Sequence, residues 1–109
     1  MLLDFNTMPF EDLPHFKDGE GSFHVQMYFD GTTRIMHGIL VPGSSIGLHR
    51  HEGNCEILFV LSGDGTLLED SERKPITAGQ CTYCPDGHEH SLINTGTADL
   101  EFYAAVPKQ

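Results

Sequence analysis

Basic residues are scarce in this chain. Only six of its 109 residues are Lys or Arg, against sixteen Asp or Glu, for a formal net charge of −10. The few cations are scattered, with only Arg73 and Lys74 adjacent. This excludes a basic face for nucleic acid or for an anionic membrane surface. Long apolar runs are missing too, and nothing approaches the ~20 residues a membrane-spanning helix needs. The first residues, MLLDFNTMPFEDL, lack a basic lead and carry acids within the apolar stretch. They therefore do not read as a signal peptide, and the expected location is the cytoplasm. Cysteine is sparse, and three is an odd count that makes a poor disulfide framework. The chain also lacks a long amphipathic helix, an internal repeat and any low-complexity tract. Its length suits one domain.

What is abundant is punctuation. Twelve Gly and six Pro separate short runs rich in Val, Ile, Phe, Tyr and Thr, the pattern of an all-β sandwich or barrel. The run 22–29 leads through Asp30-Gly31-Thr32-Thr33 into 34–41 and predicts a hairpin. Further strands are expected at 46–51, 56–61, 66–69, 74–77, 80–84, 89–94 and 98–106. Residues 1–21 have a mixed pattern, readable as a loop, an edge strand or a dimer arm, and 22–109 as the single barrel domain.

One stretch stands out. In GLHRHEGNCEILF, residues 47–59, two histidines lie two apart and a glutamate follows a Gly-Asn pair. Residues two apart on a strand share a face. A hairpin turn at Gly53-Asn54 would set His51 opposite Glu56 and His49 opposite Leu58. Two imidazoles and a carboxylate on one patch suit a divalent metal, and a cation would compensate a carboxylate set among Ile57, Leu58, Phe59 and Val60.

The longer pattern is more specific. Gly43 is followed at fixed spacings by His49, His51, Glu56 and Gly63; Gly79 is followed by Pro85, Gly87, His90 and Asn94. With the spacer 64–78 between them, these segments resemble the two-part signature of the cupin superfamily, GX5HXHX3–4EX6G and GX5PXGX2HX3N, and every fixed position is filled. The resemblance implies a double-stranded β-helix, the jelly-roll barrel of small single-domain microbial cupins. It also implies a metal held by His49, His51, Glu56 and His90, with Asn94 a turn residue and not a ligand. Three nitrogens and one oxygen without thiolate suit Mn or Fe first, with Ni, Zn, Co and Cu as alternatives.

Three function classes follow. The favoured one is a small metalloenzyme of dioxygenase, isomerase, decarboxylase or lyase type acting on a small polar molecule. The others are a ligand-binding or sensing module and a barrel that its metal only braces. A homodimer is expected, because a small jelly roll leaves sheet edges and one apolar face to cover. Cys81 and Cys84 are three apart on a strand and so face opposite sides, which argues against a redox or zinc pair. Whichever of Tyr83 and Cys84 faces the interior could be an acid, a donor or a wall residue. His37 reads as a core or surface histidine and His88 as a loop residue. Arg50 should point to solvent or to a partner subunit. Arg34 is the isolated cation able to orient a carboxylate.

Overall fold

A computed structural model describes all residues, 1–109. Ten strands form two antiparallel sheets: β1 (Glu11–Pro14), β2 (Ser22–Phe29), β3 (Arg34–Leu40), β4 (Ser45–Arg50), β5 (Glu56–Ser62), β6 (Asp64–Glu69), β7 (Glu72–Thr77), β8 (Cys81–Cys84), β9 (Glu89–Ile93) and β10 (Leu100–Val106). The larger sheet runs β1-β2-β3-β10-β5-β8 and the smaller β4-β9-β6-β7. A short 3-10 turn, Phe16–Asp18, is the only helical element. The molecule is thus all-β, as the strand pattern predicts, and it is the double-stranded β-helix that the cupin resemblance implies.

The hairpin expected over 22–41 is present, paired from Phe23↔Leu40 to Phe29↔Arg34. Its turn is fixed by Asp30, whose carboxylate accepts from the backbone N–H groups of Thr32 and Thr33. Those bonds hold its carboxyl down at about 2, because they are made to the charged form. Alternate strand residues face inward, and Phe23, Phe102, Leu40, Leu58 and Leu100 are completely buried between the sheets. Burying each such side chain contributes roughly 1.5–3 kcal/mol.

The second expected hairpin does not form. β4 pairs with β9, while β5 pairs with β10 and β8. His49 therefore lies opposite His90, and Glu56 opposite Cys84. The backbone around Gly53-Asn54 is committed elsewhere. His51 N–H donates to the His88 carbonyl, Gly87 N–H to the His51 carbonyl, and Cys55 N–H to the Pro107 carbonyl. Asn54 forms a bridge with Lys108, and Gly53 N–H donates to Asp86. With the N–H groups of His51, Gly53 and Cys55 spent on the β8–β9 loop and the C-terminal tail, residues 51–55 cross from one sheet to the other instead of folding back.

Candidate metal centre

Three elements deliver the four side chains that the cupin motif singles out. β4 brings His49 and, just past its end, His51; β5 opens with Glu56; β9 carries His90. The β4–β9 register shifts between Ile46 and His49, a bulge that re-aims the strand beside the site. The four side chains thus meet across the space between the sheets, not along one ribbon.

The geometry is tight. His90 Nε2 lies 3.0 Å from His51 Nε2 and 3.1 Å from His49 Nε2. Glu56 Oε1 lies 2.8 Å from His90 Nε2, 3.3 Å from His51 Nε2 and 3.9 Å from His49 Nε2. All four ligand atoms fall within 4.8 Å of one another. Donors about 2.1 Å from one ion and at right angles around it are about 3.0 Å apart, so the donor set fits a divalent cation.

Tautomers agree with that fit. His49 Nδ1 sits 2.7 Å from the Gly47 carbonyl, and His51 Nδ1 sits 2.6 Å from Asn54 Oδ1. Each Nδ1–H donates outward, which leaves each Nε2 lone pair facing the cluster, the arrangement that orients metal-binding imidazoles. Burial opposes ionisation of Glu56, but the His49, His51 and His90 rings, when protonated at Nε2, bond its carboxylate and hold it well below the usual range. Burial likewise opposes a charged His51, but Glu56 and Asn54 outweigh it and raise that ring's pKa.

Behind the cluster lies an apolar floor of Ile46, Leu58, Leu67 and Leu92. In front, a cavity of about 200 Å³ opens outward past Phe16, Lys17 and Arg34. The cluster is therefore dry on one side and accessible on the other.

The remaining candidates separate cleanly. Cys84 faces inward and is fully buried; Tyr83 points outward, about half exposed. Burial, followed by the nearby Glu56 and Glu69 charges, pushes the Cys84 thiol up to about 12, so it is a wall residue and a poor proton donor. All three cysteines are free. Asn94 is buried away from the cluster, donating to the Leu40 and Ala98 carbonyls at 2.7 and 2.9 Å. Arg50 is exposed, bonds the Gly87 carbonyl and pairs with Glu89. His88 pairs with Asp70, and His37 is held between Gln26 and Glu101 on the far face of the larger sheet. Two contributors escaped sequence reasoning. Asn54 looks like an ordinary turn residue, and Lys17 sits in a segment without periodicity.

The Cupin domain family model matches residues 36–106. An oxalate-binding protein of Thermotoga maritima is 46% identical over 67 residues, covering 62% of this chain and 55% of that protein. The chain thus matches little more than half the length of that relative. The crystal structure of a predicted oxalate decarboxylase from Thermotoga maritima superposes with a TM-score of 0.93 over 100% of both chains, at 31% identity. The cupin domain of Cnp3 from Schizosaccharomyces pombe matches with a TM-score of 0.81 over 100% of this chain and 74% of that one. At 10% identity it shares the fold alone.

Proposed function

Because the chain belongs to the cupin-domain family, whose model spans 71 residues from 36 to 106, we propose that it is a metal-binding single-domain cupin acting on small carboxylates. The observation that carries this is the His49–His51–Glu56–His90 cluster at the base of an open cavity. Oxalate, the ligand named for the Thermotoga maritima relative, is the first candidate. The reaction is of decarboxylase, dioxygenase, isomerase or lyase type, with Mn or Fe as the favoured metal and Ni, Zn, Co or Cu as alternatives. The expected location is the cytoplasm, and the working form a homodimer.

A divalent ion at the cluster supplies a Lewis acid. The chain's own residues do the rest. Gly47 and Asn54 fix the His49 and His51 rings in position. Glu56 supplies the single negative charge among the four ligands. The apolar floor keeps water from the rear of the site, which strengthens electrostatic interactions there.

One feature favours binding without turnover as a second reading. The side chain paired across from Glu56 is Cys84, whose thiol is a weak acid. Metal analysis of protein purified without chelators, followed by calorimetry with oxalate and a product assay, tests both readings. One metal per chain, metal-dependent oxalate binding and product formation are expected. Binding without product selects the module, and a metal-free protein indifferent to added metal defeats both.

A further inference from the structure

The cavity above the cluster holds more than metal ligands. Arg34, the first residue of β3, and Lys17, in the 3-10 turn, both line it. Arg34 Nε is the one buried side-chain nitrogen or oxygen without a hydrogen-bond partner anywhere in the molecule. Buried donors are nearly always paired, so an orphan beside a cavity marks a place for an acceptor. The Arg34 guanidinium is steadied over the Phe29 ring, 4.5 Å from its centroid.

Lys17 is presented by an unusual backbone. His15, Lys17 and Asp18 all adopt positive φ, at 52°, 55° and 63°, a region non-glycine residues enter only at some cost. The turn is clamped on β4, where a side chain at Gly47 would collide with the Lys17 carbonyl and the Gly19 backbone. Neither Arg34 nor Lys17 forms an ion pair, although acids outnumber bases sixteen to six. Arg50 also lines the cavity but is committed to Glu89 and Gly87. The acids on the lining are Glu56 in the cluster and exposed Glu52.

We infer that Arg34, with Lys17 beside it, forms an anion subsite for the distal carboxylate of a small 2-hydroxy or 2-oxo dicarboxylate whose other end meets the His49–His51–Glu56–His90 cluster. This rests on the reading of the cluster as a centre for small carboxylates and extends it to longer substrates. The cavity's 200 Å³ equals the volume of roughly seven waters at ~30 Å³ each. A two-carbon dianion on the cluster leaves part of that space unfilled. A guanidinium fork matches a carboxylate, and the ammonium of Lys17 adds charge without fixing orientation.

The test is calorimetry on metal-loaded protein with three probes: oxalate, malate, and 2-hydroxybutyrate, which lacks malate's distal carboxylate. Wild type should prefer malate to 2-hydroxybutyrate. Arg34→Met, which keeps the aliphatic packing on Phe29, should reduce that preference roughly tenfold or more, the scale of a charge-assisted hydrogen bond. It should leave metal content unchanged and oxalate affinity within about threefold. Arg34→Lys should restore only part of the preference, and Lys17→Met should lower it less than Arg34→Met does. Should Arg34→Met not fold, the Arg34→Lys and Lys17→Met proteins give the same comparison. A malate preference that is absent from wild type, or that survives both Arg34 variants while oxalate still binds, overturns the subsite and leaves the metal centre standing. Failure of wild type to bind any of the three with metal present overturns both.

Discussion

At the scale of single residues, the cluster concentrates the molecule's chemistry and sets clear expectations. Replacing His49, His51, Glu56 or His90 with Ala should each cut metal content sharply by elemental analysis, and full occupancy in two of the four variants would sink the ligand set. Asn94→Ala should behave in the opposite way. It removes bonds to the Leu40 and Ala98 carbonyls, so it should cost about 1–3 kcal/mol in denaturant unfolding while metal stays bound. Protons and metal compete for imidazole nitrogen, and Glu56 and Asn54 raise the proton affinity of His51 against the effect of burial. A raised pKa means that protonation begins at higher pH as acid is added. Metal should therefore leave as pH falls below about 5, and return when pH is restored. Cysteine chemistry gives a check independent of metal. Cys81 is exposed, whereas Cys84 is buried with its thiol pushed up to about 12. Iodoacetamide at pH 8 should label Cys81 in the native protein and leave Cys84 unmodified until the chain is unfolded. Equal labelling of both would show that the β8 wall opens.

Among the strands, some elements were legible in the sequence and others were not, for physical reasons. β2 and β3 are alternating runs joined by a turn that Asp30 stabilises locally, so short-range signals specify them. The four residues of the cluster were legible because a fixed motif carries them. How they meet was not. Gly53-Asn54 has the composition of a hairpin turn, yet Gly53 N–H donates to Asp86, the Gly53 carbonyl accepts from Gln109 N–H, and Asn54 bridges with Lys108. Those partners lie more than thirty residues away in sequence, and no local pattern reports them. The β1 edge strand was one of three open readings of residues 1–21, and the left-handed residues at 15, 17 and 18 were silent, since tertiary packing against β2 and β4 decides them. The arm preceding β1 is held by Gln26, whose amide donates to the Phe5 carbonyl at 2.7 Å and the Met8 carbonyl at 2.5 Å. Its Phe5 ring stacks on Tyr103, with centroids 5.6 Å apart. Deleting residues 1–12 removes these contacts and half of β1. The melting temperature should fall by several degrees without loss of metal. An unchanged melting point would make the arm an unattached tail.

Considered as a whole, the molecule has one face that the monomer leaves uncovered. Phe59 on β5, Tyr103 on β10 and Tyr83 on β8 are 54%, 42% and 51% exposed on the outer side of the larger sheet. Phe59 and Tyr103, with Phe5, Ile35 and Ala105, border an entirely apolar depression. Contiguous apolar surface of this kind, on strands beside one another, is characteristic of an interface and costly to leave in water. A second copy of the chain is the expected cover, because the opposing sheet of a two-fold dimer presents the same apolar face. Charge works against this pairing. Each chain carries a formal −10, so two copies repel, and added salt screens that repulsion over about 10 Å at 0.1 M. Light scattering should give about twice the 12.1 kDa chain mass at micromolar concentration. The dimer should tighten as salt rises from low to physiological ionic strength. Phe59→Glu should shift the protein to monomer by placing an acid at the centre of the apolar face, with the metal cluster inside the barrel untouched and metal content retained. A mass near 12.1 kDa for wild type at every salt concentration would refute the dimer and leave the apolar face to some other partner.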